Sequence, residues 1–291
     1  MIPQLIVSGL LVGGIYALVA IGLNLVFGVL RIINFAHGEY LMVAMYGSYW
    51  LWRLTIDPYV AALLILPMMA VLGAVTERYL IRYTLASQAH VKIFVTLGLS
   101  IALQNAALLL FGGDYLSVRT PYQTMTFTLA SLSISVPRLI ANVVMAVSAI
   151  GLYFFLQHTD FGKAIRATAQ DSTTARLMGI NIGRVYMATF AIGTAFVGLA
   201  GCVLIPVYYV YPTVGTDFVL IAFVVVVLGG LGSLLGAVVG GFLIGVVEQF
   251  SGFFIDTSLR QIVYFGVFIA ILVLRPAGLF GKRGAEEIGL K

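Results

Sequence analysis

Gln4-Leu5-Ile6-Val7-Ser8-Gly9-Leu10-Leu11-Val12-Gly13-Gly14-Ile15-Tyr16-Ala17-Leu18-Val19-Ala20-Ile21-Gly22-Leu23-Asn24-Leu25-Val26-Phe27-Gly28-Val29-Leu30 runs twenty-seven residues without a charge. Wound as an α-helix at 1.5 Å per residue, such a run exceeds the ~30 Å hydrocarbon core of a bilayer. More runs of this kind follow, and the chain is 61% hydrophobic and only 9% charged. A soluble domain carries roughly a quarter of its residues charged, so this composition cannot build a water-facing surface. In lipid every backbone N–H and C=O needs an internal partner, which leaves helical bundles or closed barrels. Barrel strands of about ten alternating residues do not fit unbroken apolar runs. The expected fold is an all-α polytopic transmembrane helical bundle forming one domain over residues 1–291.

Apolar segments cover approximately 4–30, 35–53, 58–77, 93–112, 137–156, 185–206, 217–231, 233–250 and 260–280. The count is eight or nine, because 217–250 is either one tilted helix or two segments hinged at Gly229-Gly230-Leu231-Gly232-Ser233. With two segments, one side receives Arg31, Arg78, Arg82, Lys92, Lys163, Arg166, Arg176, Arg184, Arg275, Lys282, Arg283 and Lys291; the other receives Arg53, Arg119, Arg138 and Arg260. The positive-inside rule then predicts the N-terminus outside and the C-terminus in the cytoplasm. Met1-Ile2-Pro3-Gln4 offers no positive n-region, and the first run is too long for a cleavable signal core, so this span is expected to remain. The net charge of +5 is spread along loops with no aromatic-basic module, which argues for membrane topology and against nucleic acid.

Two connectors stand out. The outside loop from Gly113 to Val136, rich in Ser and Thr, is expected to form a hairpin or a cap. The inside loop, residues 157–184, reads as two short helices, the first after Gly162 and the second beginning at Ser172, with Asp171 as N-cap and Gly179 at C′. Glycines recur at helical spacing in Gly232, Gly236, Gly240, Gly241 and Gly245, and in Gly9 and Gly13. Such stripes let helix backbones approach closely, either for plain packing or as a sliding surface. Pro67 and Pro206 are expected to kink their helices, and Cys202, the single cysteine, to serve packing.

The acids Glu39, Asp57, Glu77, Asp114, Asp160, Asp171, Asp217, Glu248, Asp256, Glu286 and Glu287 all fall at span ends or in loops. Ion-coupled carriers commonly place an ionisable group near the bilayer centre, so an external energy source is favoured. No phosphate-cradling Gly-x-x-x-x-Gly-Lys-Ser/Thr loop is present, so ATP would have to bind another subunit. Catalysis is disfavoured as well. There is no His-Glu-x-x-His motif for a metal, and His37, His90 and His158 lie near cytoplasmic span ends, where none can serve as base for Ser48 or Ser233. His37 and Glu39 read as an interfacial cap or interhelical bond, or else as a conformational or pathway element. Asn24, Gln104, Asn105 and Asn142 lie deeper in their spans, as interhelical glue or as the lining of a hydrated path. The inside loop is the stronger candidate, because a rigid amphipathic lug can dock in a partner's groove and transmit its motion.

Four stretches together resemble the permeases of branched-chain amino acid ABC importers of the LivH type. They are Gly22 to Glu39, Gly162-Lys163-Ala164-Ile165-Arg166-Ala167 through Arg176-Leu177-Met178-Gly179-Ile180-Asn181, Gly229-Gly230-Leu231-Gly232-Ser233-Leu234-Leu235-Gly236-Ala237, and Arg275-Pro276-Ala277-Gly278-Leu279-Phe280-Gly281. The resemblance implies a non-catalytic subunit of the bacterial inner membrane. It further implies a heterodimer with a second homologous permease, two cytoplasmic ATPase subunits that carry the ATP and Mg, and a periplasmic amino-acid-binding protein. Gly162, Lys163, Ala164, Ile165, Arg166, Arg176 and Gly179 would couple to the ATPase, although the Glu-Ala-Ala wording of many importers is absent. Asn24, Gln104 and Asn105 are the pathway candidates; His37, Glu39, Gly232, Gly236 and Gly240 are the conformational ones. Relatives for urea, amides or other amino acids, and a stand-alone channel or facilitator, are the alternatives.

Overall fold

Helices begin and end where the chain supplies caps and left-handed residues. In a computed structural model, which describes residues 1–129, 132–256 and 259–281, α1 (Ile2–Leu30) starts on Pro3 and stops at Arg31, whose φ of 54° is left-handed. After an extended return, α2 (His37–Arg53) begins. Oδ1 of Asp57 accepts from the Tyr59 N–H and opens α3 (Pro58–Thr76), which continues through a π-turn at Glu77–Ile81 into the short α4 (Arg82–Thr84). Next comes α5 (Ala89–Phe111), closed by Gly112 at φ 79°. The expected outside connector holds an antiparallel hairpin of β1 (Thr126–Leu129) and β2 (Leu132–Ser135). The remaining elements are α6 (Val136–His158), α7 (Asp160–Gln170), α8 (Ser172–Leu177), α9 (Ile182–Leu204), α10 (Val214–Gly229), α11 (Leu234–Phe254) and α12 (Arg260–Leu274).

Two ends of the bundle can be named from contacts. Gln4 exchanges hydrogen bonds with the Ser133 backbone, so α1 starts beside the hairpin. Arg31 reaches the carbonyls of Ala169 and Gln170, so α1 ends on the α7–α8 lug. Among the described residues six helices are long and apolar enough to cross a membrane, counting α3 to α4 as one, while α10 and α12 are shorter apolar helices. α1 and α9 are mostly buried whereas α5 and α6 are mostly exposed, so α1 and α9 form the centre of the bundle. Side chains such as Leu63 and Val71 on α3, Leu109 on α5, Val147 on α6 and Val273 on α12 face outward, as a lipid-facing surface requires.

Small residues set the closest contacts. A Cβ on Gly13 would stand 2.6 Å from Cα of Phe242, and one on Gly241 2.7 Å from Cβ of Ala17, so α1 and α11 run antiparallel with their backbones nearly touching. The expected single stripe divides: Gly232, Gly241 and Gly245 face α1, whereas Gly236 and Gly240 face Gly229 and Val225 on α10. Residues 217–250 are a helical hairpin reversing at Gly230 (φ 108°) and Gly232 (φ 80°), conformations that Cβ-bearing residues resist. Pro67 lies inside α3 as expected, but Pro206 falls after α9 ends at Leu204 and therefore stops a helix where a kink was expected. The basic tail residues Lys282, Arg283 and Lys291, and the acids Glu286 and Glu287, lie outside the described residues.

Candidate functional site

The lug is built by its caps. Thr159 Oγ1 accepts from the Gly162 N–H at 2.9 Å, so α7 starts at Asp160, earlier than the expected start after Gly162. Gly162 is required there, because a Cβ would stand 2.6 Å from Cα of Leu156 where the chain turns from α6 into α7. Asp171 caps α8 as expected, accepting from the Thr173 and Thr174 N–H groups at 2.9 and 3.2 Å. Hydrogen bonds from the Thr174 hydroxyl, and from those two amides, hold its carboxyl below the usual carboxylate range. Lys163 does the same for Asp160, pairing with it at 2.9 Å. Ile165 is buried and anchors α7, Ala164 packs beside the core, and Gly179 takes φ 86° after α8. Arg166 is tied to the Gln157 carboxamide at 2.7 Å. Leu177 and Met178, 83% and 79% exposed, with the exposed Arg176, present an apolar and basic tip. Between the two helices lies a cleft lined by Gln170, Thr174, Met178 and Ile180.

A second polar cluster lies within the bundle. His37 Nε2 donates to the Val19 carbonyl at 3.1 Å, since a carbonyl can only accept. Val19 precedes the end of α1 by eleven residues, roughly 16 Å of helix. The chain therefore re-enters the bundle after Arg31, and α2 begins at depth. This corrects the expectation that His37 and Glu39 sit at a span end: both are fully buried. The first turn of α2 meets that of α10, where a Cβ on Gly38 would overlap the Gly215 carbonyl. Oε1 of Glu39 accepts from Gln104 at 2.7 Å and from Ser100 at 3.1 Å, both on α5, and Gln104 also donates to Thr216 Oγ1 at 3.1 Å.

The three pathway candidates do not form one site. Gln104 joins Glu39, and Asn105 next to it lines a cleft of about 280 Å³ with Leu108, Tyr115, Tyr211 and Thr213. Asn24 instead accepts from the Gly232 N–H at 2.7 Å, pinning the α10–α11 reversal at the other end of α10. Reading the sequence did not find Tyr211, Thr213 or Ser100, which come from loops and helices far apart in the chain. Nor did it find the bond from the Tyr16 hydroxyl to Glu248 Oε2 at 2.5 Å, or the pairing of buried Glu77 with Arg82 at 2.8 Å. Spacing carries no signal for such pairs. Among the described residues no group of three or more His, Cys, Asp or Glu is placed to hold a metal ion.

A charge-poor bundle sheathed in outward apolar side chains, with a rigid basic lug at one end, defines a polytopic membrane protein. The chain belongs to the family described as the permease component of the branched-chain amino acid transport system, which matches over residues 5–272. It is 31% identical to the high-affinity branched-chain amino acid transport system permease protein LivH of Escherichia coli, over 98% of this chain and 97% of that protein. Identity to the corresponding BraD of Pseudomonas aeruginosa is 32% over the same shares. A partial similarity, 26% over 45% of this chain and 43% of the relative, links it to the ribose import permease RbsC of Escherichia coli. No solved structure matches significantly. The family is one of transport subunits without an enzymatic activity of their own.

Proposed function

We propose that this chain is the membrane-spanning permease subunit of an ATP-driven importer that moves leucine, isoleucine or valine across the bacterial inner membrane. The observation that carries the reading is the α7–α8 lug: it is rigidly capped, presents Arg176, Leu177 and Met178, and is tied by Arg31 to the core helix α1. A groove on an ATPase that grips this tip would act directly on a buried helix that packs against α6, α9, α10 and α11. Gly162, Lys163, Ala164, Ile165, Arg166, Arg176 and Gly179 form the coupling element. Nucleotide and Mg bind the two partner ATPases, a second related permease completes the pathway, and a soluble periplasmic protein delivers substrate. The full-length likeness to LivH and BraD supports both the substrate class and these partners.

Orientation follows from charge. Arg31, Arg82, Lys163, Arg166, Arg176 and Arg184 gather at the lug end, which supports placing that end in the cytoplasm and the N-terminus outside. The six long helices, the re-entrant α2 and the shorter α10 and α12 together support eight or nine membrane segments in one permease domain. Transport proceeds by alternating access: closure of the ATPases moves the lug, and glycine-lined contacts such as α1 on α11 let the bundle change packing.

Replacing Ile165 with Pro tests the coupling. A proline inside α7 costs the helix ~3 kcal/mol or more, so substrate-stimulated ATP hydrolysis and uptake should both be lost while the chain still reaches the membrane. Normal transport by Ile165→Pro removes the coupling assignment. Uptake in liposomes by this polypeptide alone would instead establish a facilitator, and competition by urea over leucine would move the substrate class.

A further inference from the structure

Where α3 leaves the apolar region, the π-turn Glu77–Ile81 and α4 sort their side chains onto two faces. Glu77, Ile81 and Thr84 are buried, whereas Arg78, Tyr79, Arg82 and Tyr83 are exposed. The π-turn packs against both α5 and α9. Nη2 of Arg82 donates to Glu77 Oε2 at 2.8 Å and to the Gly183 carbonyl, in the first turn of α9, at 3.1 Å. That contact brings the next residue of α9, the exposed Arg184, to the same patch. The charges here do not cancel. Glu77, the one carboxylate of the π-turn and α4, is taken by Arg82. Among the described residues the guanidiniums of Arg78 and Arg184 have no ion pair with the protein, and that of Arg78 lies 5.8 Å over the Tyr79 ring. Lys92, in the first turn of α5, adds a further positive charge beside them.

We propose that this patch binds an anionic phospholipid of the surrounding bilayer, with Arg78 and Arg184 on the headgroup phosphate and Tyr79 and Tyr83 against the lipid below it. A guanidinium presents a planar fork of donors that matches a phosphate. The two tyrosines are 65% and 76% exposed, and rings with a polar edge settle at headgroup level. Outward Val71 and Val75 on α3, and Phe94 and Leu97 on α5, continue the patch into the lipid-facing surface. This continuity selects a lipid over a soluble phosphate ester, which would leave the tyrosines and the apolar side chains uncovered. It also sets the patch level with the bilayer, whereas the tip that a protein groove can grip, Leu177 and Met178, stands on the lug. A zwitterionic headgroup brings its own cation and offsets the attraction, so the site prefers a headgroup with net negative charge.

The test titrates the assembled complex in detergent with phosphatidylglycerol or phosphatidylcholine and counts bound lipid by native mass spectrometry. Phosphatidylglycerol should bind more tightly. Arg78→Gln combined with Arg184→Gln should weaken it by about fivefold for each arginine, the effect of one basic residue near an anionic membrane surface, and leave phosphatidylcholine unchanged. Arg176→Gln, on the lug, should alter neither. Arg78→Gln alone, with about a fivefold loss, serves if the double variant does not assemble. Equal affinity for the two lipids, or phosphatidylglycerol binding that survives the substitutions, overturns the proposal. Displacement of the lipid by an equal concentration of glycerol 3-phosphate overturns it in favour of a soluble phosphate ester. Loss of the ATPase subunits from the double variant, with lipid binding intact, overturns it in favour of a protein partner.

Discussion

Nη2 of Arg31 lies 3.3 Å from the carbonyl oxygen of Ala169, so the last residue of the core helix's cap is also the clamp on the last turn of α7. A guanidinium at a helix C-terminus satisfies carbonyls that have no partner within the helix and complements the dipole there. The same residue holds a left-handed backbone, φ 54°, that glycine adopts more easily. Arg31→Gly therefore relieves the backbone while removing the clamp. The expected outcome is a protein at least as stable as the parent whose stimulated ATP hydrolysis falls about threefold to tenfold, on the scale of ~1 kcal/mol for a partly solvated charge-assisted bond. Unchanged coupling in ATPase assays would show that Arg31 serves only the turn.

Gly38 and Gly98 make a matched pair of helix glycines with opposite surroundings. A Cβ at Gly38 would overlap the Gly215 carbonyl, whereas nothing lies within 4 Å of one at Gly98. Gly38→Ala should destabilise the purified protein by ~1–3 kcal/mol, the usual cost of overpacking. Gly98→Ala should be neutral or stabilising by up to ~1 kcal/mol. Thermal unfolding in detergent separates the two, and equal melting would mean that the α2–α10 contact is looser than its geometry.

Tyr16 and Glu248 bind the middle of α1 to α11 through the 2.5 Å hydrogen bond. Tyr16→Phe leaves the half-buried Glu248 Oε2 short of a donor, a cost of about 1 kcal/mol. Its other oxygen is 3.9 Å from Arg260, too far to compensate. A double-mutant cycle with Glu248→Leu should recover part of the loss, because removing both partners leaves no orphaned group. Additive losses would refute the pairing.

Acid should loosen the lug before the bundle. The folded-state pKa of Asp171 is depressed by its bonds from Thr174 and Thr173. Its stabilising contribution is therefore complete above the unfolded carboxylate value of about 3.9, and it is lost as pH falls through the lower folded value. Amide exchange across residues 172–178, corrected for intrinsic rate, should show protection falling in that window. Asp171→Asn, a good N-cap without a charge, should flatten the dependence; a profile unchanged by Asp171→Asn would assign it elsewhere.

Much of the architecture was legible because lipid reduces the choices to a few. Runs such as Gln4–Leu30 can only be helices in hydrocarbon, and α1 matches that run closely. The lug was legible because caps are local: Asp171, Ser172 and Gly179 announce a helix within nine residues. The hairpin at Gly230 and Gly232 was foreshadowed by its glycines, although whether the chain reversed there turned on charge rather than on the turn itself.

Glu39 shows where local reading stops. Its place in the first turn of an apolar segment suggests a membrane surface, yet the extended return after Arg31 carries that turn into the bundle beside Val19 and Gly215. The cleft of Asn105, Tyr115 and Tyr211 is assembled from segments about a hundred residues apart. The amino-acid order alone determined that the chain is helical, lies in a membrane and carries a basic loop of two short capped helices, because hydrophobic length, charge and capping act over a few turns. Only the tertiary structure decided which polar groups meet, because pairing between helices is set by where backbones cross, and no periodicity within one helix records that.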